Sequence, residues 1–225
     1  MSYAVFEGTG DMVPVDPAPI LLDDGRVRMF YYNIGRAGTK QKTHTIYSAI
    51  SDDGIHFTQE EGQRFSYDNI YDPDVIQLQD GSWIMYVGTG DQKVLYATST
   101  DGLNFDYGDV AYEGGAIPNV LFHEDLYILY TGGIQIATST DGKSFTKSSN
   151  SFNAGGITAD PGVIKLSDSL YFMVYKTSSK TPEGQPSQTQ PQQQVPATQS
   201  PSTPTANSPQ DLAPLDPSLP QGPAR

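Results

Sequence analysis

The chain of 225 residues contains no cysteine. That excludes disulfides, thiolate catalysis and cysteine-ligated zinc. It leaves the compartment open, because many exported bacterial proteins also lack cysteine. Histidine is scarce: His44, His56 and His123 are scattered without metal-ligand spacing, and solvent or core positions account for them. Bases are few, 13 against 26 acids, and the net charge of -13 argues against nucleic-acid backbones and anionic membranes as partners. No run approaches the ~20 apolar residues of a membrane-spanning helix, so no membrane insertion is expected. Met1–Gly10 lacks the basic and apolar regions of a signal peptide. There is no Asn-x-Ser/Thr acceptor either.

What the chain has is a repeat. Residues Tyr71 to Phe105 contain one whole unit. Asp72-Pro73-Asp74 opens an apolar run, Asp80-Gly81 is a hairpin signal, and Trp83–Val87 and Val94–Thr98 read as the next two strands. Ser99-Thr100-Asp101-Gly102 turns into a short fourth strand around Phe105. The closing pattern S-x-D-G-x-x-F occurs three times, at Ser51–Phe57, Ser99–Phe105 and Ser139–Phe145. The opening pattern occurs four times, starting at Asp16, Asp72, Ile117 and Asp160. The second strand recurs as Arg28–Tyr32, Ile84–Val87, Ile128–Tyr130 and Phe172–Tyr175. A four-stranded unit repeated every ~40–50 residues is the signature of a β-propeller blade. The expected fold is an all-β propeller of four-stranded antiparallel blades, with about three and a half blades visible. Ser2–Phe6 reads as a strand without a partner nearby. It either completes the last blade of a small four-bladed ring or ends a preceding blade of a larger propeller; the start without an export signal favours the second.

Proline marks a boundary, since 11 of the 17 prolines fall after residue 180. The expected division is a propeller over residues 1–177 and a disordered Pro/Gln/Ser/Thr-rich tail over 178–225. Such a composition buries too little apolar surface to offset chain entropy. The tail is either a spacer to a surface or another domain, or a segment without a partner. The polar insertion Asn33–Lys42 in the first blade is a loop of the kind that carries specificity.

The repeat separates scaffold from candidate site. Asp53, Asp101 and Asp141 recur identically in the closing turn, where aspartate accepts backbone N–H groups and glycine permits the turn geometry. Phe57, Phe105 and Phe145 are expected to pack between blades. The opening strand, which lines the channel of a propeller, diverges instead. Its first aligned position is Asp16, Asp72, Ile117 and Asp160, and its third is Ala18, Asp74, Asn119 and Gly162. Acids from several blades would converge on one funnel, although an aspartate before proline can also bind local N–H groups. Clustered acids suit glycoside hydrolysis, where one carboxyl protonates the leaving oxygen and another activates water or attacks carbon. They also suit Ca²⁺, though no loop has calcium-ligand spacing. Tyr67, Tyr71 and Tyr112 are candidate stacking platforms for sugar rings, with core packing as the alternative.

The D-P-x-V opening, the D-G turn, the aromatic-Met-Tyr second strand and the S-x-D-G-x-x-F close resemble the five-bladed propellers of the arabinanase, levansucrase and invertase superfamily. They are most like glycoside hydrolase family 43 and its uncharacterised relatives. The resemblance covers about residues 15–176 and is more specific for architecture than for activity. It implies an inverting hydrolase with an Asp base, a second Asp that tunes and positions, and a Glu acid, each from a different blade. By motif position Asp16 is the base and Asp72 the tuning residue. Glu113-Gly114-Gly115 is the nearest match for the acid, sits early for that role, and is alternatively a surface residue. Substrate contacts are expected from Asp74, Asn119, Asp160 and Tyr71. The resemblance favours carbohydrate as the partner and an extracellular or cell-surface setting. The alternative is a non-catalytic propeller that binds glycan or protein through its loops.

Overall fold

The computed structural model describes residues 3–10, 13–33, 43–152, 156–167 and 170–178. The insertion at 34–42 and the expected tail from 179 onward lie outside the described residues. After a short strand β1 (Val5–Glu7), the first blade consists of β2 (Pro14–Leu21), β3 (Val27–Asn33), β4 (Thr43–Ser51) and an outer strand in two pieces, β5 (His56–Gln59) and β6 (Phe65–Asp68). Both pieces pair with β4. The second blade is the antiparallel meander β7 (Ile70–Gln77), β8 (Trp83–Thr89), β9 (Val94–Ser99) and β10 (Asp106–Tyr112). The third is β11 (Asn119–His123), β12 (Leu126–Thr131), β13 (Gln135–Ser139) and β14 (Thr146–Ser151). The fourth has two strands among the described residues, β15 (Ile157–Ser167) and β16 (Leu170–Ser178). The inner strands β2, β7, β11 and β15 are neighbours in that order. Among the described residues this is a partial propeller of the expected three and a half blades.

Burial follows from having a blade on each side. All seven residues of β8, WIMYVGT, are buried, because its even positions pack on one neighbour and its odd positions on the other. Met85 and Val87 join Phe30, Ile46 and Phe65 of the first blade, whereas Ile84 and Tyr86 join Val120, Tyr127 and Leu129 of the third. The closing-turn phenylalanines seal these seams. Phe105 meets the Phe30 ring edge-on at 5.9 Å, and Phe145 meets Tyr86 at 5.9 Å.

The turns form as their residues dictate. In each, the Asp carboxylate accepts two backbone N–H groups further along: Ile55 and His56 for Asp53, Leu103 and Asn104 for Asp101, Lys143 and Ser144 for Asp141. Gly102 has φ +69°, and a Cβ there would lie 2.7 Å from the Trp83 ring, so both conformation and space demand glycine. The fourth strand of the second blade begins one residue later than its sequence suggests, leaving Phe105 buried in the turn itself.

Of the two readings of Ser2–Phe6, completion of the last blade is corrected. The strand β1 does not complete the fourth blade. It pairs parallel with β5, in the register Val5↔His56, Phe6↔Phe57 and Glu7↔Thr58. The reason is aromatic: the Phe6 ring stacks on Phe57 at 5.3 Å and meets Tyr31 edge-on at 5.5 Å. Phe6 thereby packs against Phe57 as Phe30 does against Phe105 and Tyr86 against Phe145.

Candidate functional site

Every inner strand opens on a left-handed residue. Asp16, Asp72, Ile117 and Asp160 have φ of 54°, 48°, 62° and 51°. Non-glycine residues seldom adopt this region, and aspartate tolerates it better than most. In three blades the pairing slips across this residue and the proline after it, between Val15 and Ala18, Tyr71 and Asp74, and Ala159 and Gly162. Such a bulge re-aims the side chain it carries. Three aspartates from three blades are thus turned by one local device.

They are turned towards each other. Burial pushes the Asp72 carboxyl up to about 7, and the charges of Asp16 and then Asp160 add to the rise. Burial also raises Asp16, against the hydrogen bonding it receives from the backbone and side chain of Asp72. Asp72 thus donates a hydrogen bond to Asp16, and the two titrate as a pair. Lys176, from β16, lies 3.6 Å from the Asp160 carboxylate and its charge favours the ionised forms of Asp16 and Asp72.

Aromatic and imidazole groups border the acids. The Tyr32 hydroxyl is raised by burial and by the charge of Asp16. Its ring lies 5.0 Å from that of His44, whose Nδ1–H donates to the Ile70 carbonyl at 2.8 Å. The Tyr71 hydroxyl donates to the Thr89 carbonyl at 2.5 Å and is raised by burial and by Asp72.

Other expected site residues are placed elsewhere. The Asp74 carboxylate accepts the Val120 N–H at 2.6 Å and the Asn119 side-chain amide at 3.4 Å. Burial raises Asp74 to about 6. Asn119 in turn accepts the Val163 N–H at 2.8 Å. Both side chains reach forward to the inner strand of the next blade. They occupy the third repeat position, where the first blade has Ala18, and they clasp the seams between the second, third and fourth blades. Glu113 follows the outer strand β10, is 74 % exposed and pairs with Lys93 at 3.7 Å. It is not among the groups that shift Asp16 or Asp72 most.

Nothing in the sequence reading points to Tyr32 or Lys176, and it puts His44 at a solvent or core position. A signal for two of them existed in the strand register. Tyr32 pairs with Val15 and Lys176 with Ala159, each opposite the residue before a site aspartate. The ends of the second strands FYY and VYK therefore sit beside the opening aspartates. Among the described residues no group of three or more histidines and acids is arranged to hold a metal ion. The three aspartates are engaged with one another and with Lys176.

Fold and site together define a class: a β-propeller with acids from several blades gathered at the openings of its inner strands. No protein-family model matches the chain, and no curated protein does. Solved structures match it. An exo-β-1,3-galactanase from Phanerochaete chrysosporium superposes with a TM-score of 0.61 at 12% identity, covering 80% of this chain and 47% of that one. A candidate glycosidase from Bacteroides thetaiotaomicron gives 0.60 at 20% identity, covering 76% and 63%. A β-fructofuranosidase from Schwanniomyces occidentalis gives 0.56 at 19% identity, covering 72% and 39%. The chain spans about half the length of the mannoside-linked and galactanase structures it matches. At these identities the likeness shows the fold alone, a β-propeller.

Proposed function

We propose that the chain is a carbohydrate-active propeller that cleaves glycosidic bonds of a poly- or oligosaccharide. The observation that carries this reading is the meeting of Asp16, Asp72 and Asp160 from three blades. Asp16 and Asp72 hydrogen-bond, so they are too close to flank a scissile bond, which needs ~5–9.5 Å between carboxyls. They act as one unit. Asp16 is the base that activates water, and Asp72 holds the shared proton and sets the basicity of its partner. A donor to the leaving oxygen is needed on the other side of the scissile bond, and only its motif context proposes Glu113, which is exposed and paired with Lys93. The glycoside-hydrolase neighbours support carbohydrate as the substrate class.

The test is release of reducing ends from arabinan, xylan and fructan by the full chain. Turnover is expected, with loss of at least ~10³-fold in Asp16→Asn and of ~10²–10⁴-fold in Glu113→Gln. A measured hydrolysis rate that survives the double change Asp16→Asn and Asp72→Asn refutes the reading. A second reading, glycan binding without hydrolysis, is favoured by one observation: Glu113 is exposed and engaged by Lys93. Retention on a glycan column without reducing-end release would select it.

A further inference from the structure

The fourth blade presents an apolar sheet to solvent. Ile164, Leu166, Leu170, Phe172 and Val174 are each between 51 and 55 % exposed. They belong to two paired strands, with Ile164 opposite Phe172 and Gly162 opposite Val174. Large apolar side chains grouped in this way mark an association surface. The repeat says what kind. In the second blade the same registers hold, with Ile76 opposite Ile84 and Asp74 opposite Tyr86. There Ile76, Leu78, Ile84 and Tyr86 are covered by Val120, Tyr127, Leu129 and Phe145 of the third blade. Ile164, Leu166, Phe172 and Val174 are their counterparts, so this face is shaped to receive an apolar β-sheet.

We propose that a second copy of this chain covers it, with β15–β16 of one copy packed face to face on β15–β16 of the other across a twofold axis. Three observations choose that occupant. First, the opposite end of the row of blades offers no seat for it: the Tyr31–Phe57 face of the first blade is filled by Phe6 of its own chain. A head-to-tail contact, which would run on into an open filament, is thereby blocked, and a self-complementary contact closes at two copies. Second, the charge of the chain, -13, is not concentrated here. Among β15 and β16 Asp160 is the only acid, against Lys165 and Lys176. Third, the exposed side chains on this two-stranded sheet are apolar on both strands, Ile164 and Leu166 on β15 and Leu170, Phe172 and Val174 on β16, so two copies present apolar surface to each other. The inference does not depend on any catalytic role of the channel acids.

Light scattering coupled to gel filtration on the full chain, over a range of concentrations, tests it. The expected mass is that of two chains. The double change Ile164→Lys and Phe172→Glu should give one-chain mass with unchanged far-ultraviolet circular dichroism, while Leu21→Glu, an exposed position on the first blade, should leave the dimer intact. If the double variant loses its circular dichroism, the milder Val174→Thr serves, and a dissociation constant at least tenfold weaker is expected. A one-chain mass at every concentration overturns the proposal, as does a dimer that survives the fully folded double variant or an assembly larger than two.

Discussion

Asp16, Asp72 and Asp160 occupy one repeat position in one left-handed conformation, and burial first, with the neighbouring carboxylate charges second, raises Asp72. Raised and lowered carboxyls in this chain pull stability in opposite directions with pH. Asp72 has a folded value of about 7 against an ordinary ~3.9, so the folded state holds its proton more tightly than the unfolded chain. Its contribution is fully present below about pH 4 and is lost as pH rises through about 7. The melting temperature of Asp72→Asn minus that of the wild type should therefore grow between those limits and then level; a flat difference would refute the assignment. Asp53 and Asp101 lie well below the carboxylate range, Asp53 chiefly through His56 and Asp101 chiefly through the Asn104 N–H, and act in the contrary sense at lower pH. The residues of the turns were legible because their hydrogen bonds are local. Divergence among the repeats singled out Asp16, Asp72 and Asp160, but it singled out Asp74 and Asn119 equally, and those serve the seams. A sequence shows where repeats differ; whether a side chain faces the channel or the next blade depends on a bulge two residues away. Lys176 was illegible for a related reason, since its role comes from cross-strand register.

Blades are held by seams, and the seams can be tested one at a time. Asp74→Ala strips the Val120 N–H of its acceptor and should cost about 1–3 kcal/mol in urea unfolding. Amide exchange should speed up at Val120 while Val163, clasped by Asn119, stays protected; Asn119→Ala should show the converse. Equal acceleration at both sites in either variant would mean that the clasps are not independent. The added strand β1 makes a separate prediction. Phe6→Ala removes a ring packed on Tyr31 and Phe57 and should lower stability by about 1.5–3 kcal/mol, most simply seen as a lower urea midpoint. Hairpin strands could be read from alternation and D-G turns, because partners lie a few residues apart. The pairing of β1 could not, because its partner β5 is parallel and a whole blade away.

At the scale of the molecule, the propeller was legible from periodicity alone, since a unit that recurs every ~40–50 residues with a turn at each strand end has few other ways to bury its apolar positions. The association of open faces was not, because apolar strand residues look the same in sequence whether a neighbour covers them or not. The clasp between blades has a further consequence, for how such a chain can change its length. Each clasp uses one side chain of a repeat and one main-chain N–H of its successor, and asks nothing of more distant units. Duplication or loss of a complete unit leaves every surviving seam with both halves of its fastening. A break inside a unit removes both the side chain that fastens forward and the amide that is fastened. Ancestry by whole-unit gain and loss is therefore chemically cheap here, and the first seam, where Ala18 stands in place of a clasping residue, is joined instead by apolar packing and by hydrogen bonds from other positions, His44 to the Ile70 carbonyl and Arg64 to the Leu103 carbonyl.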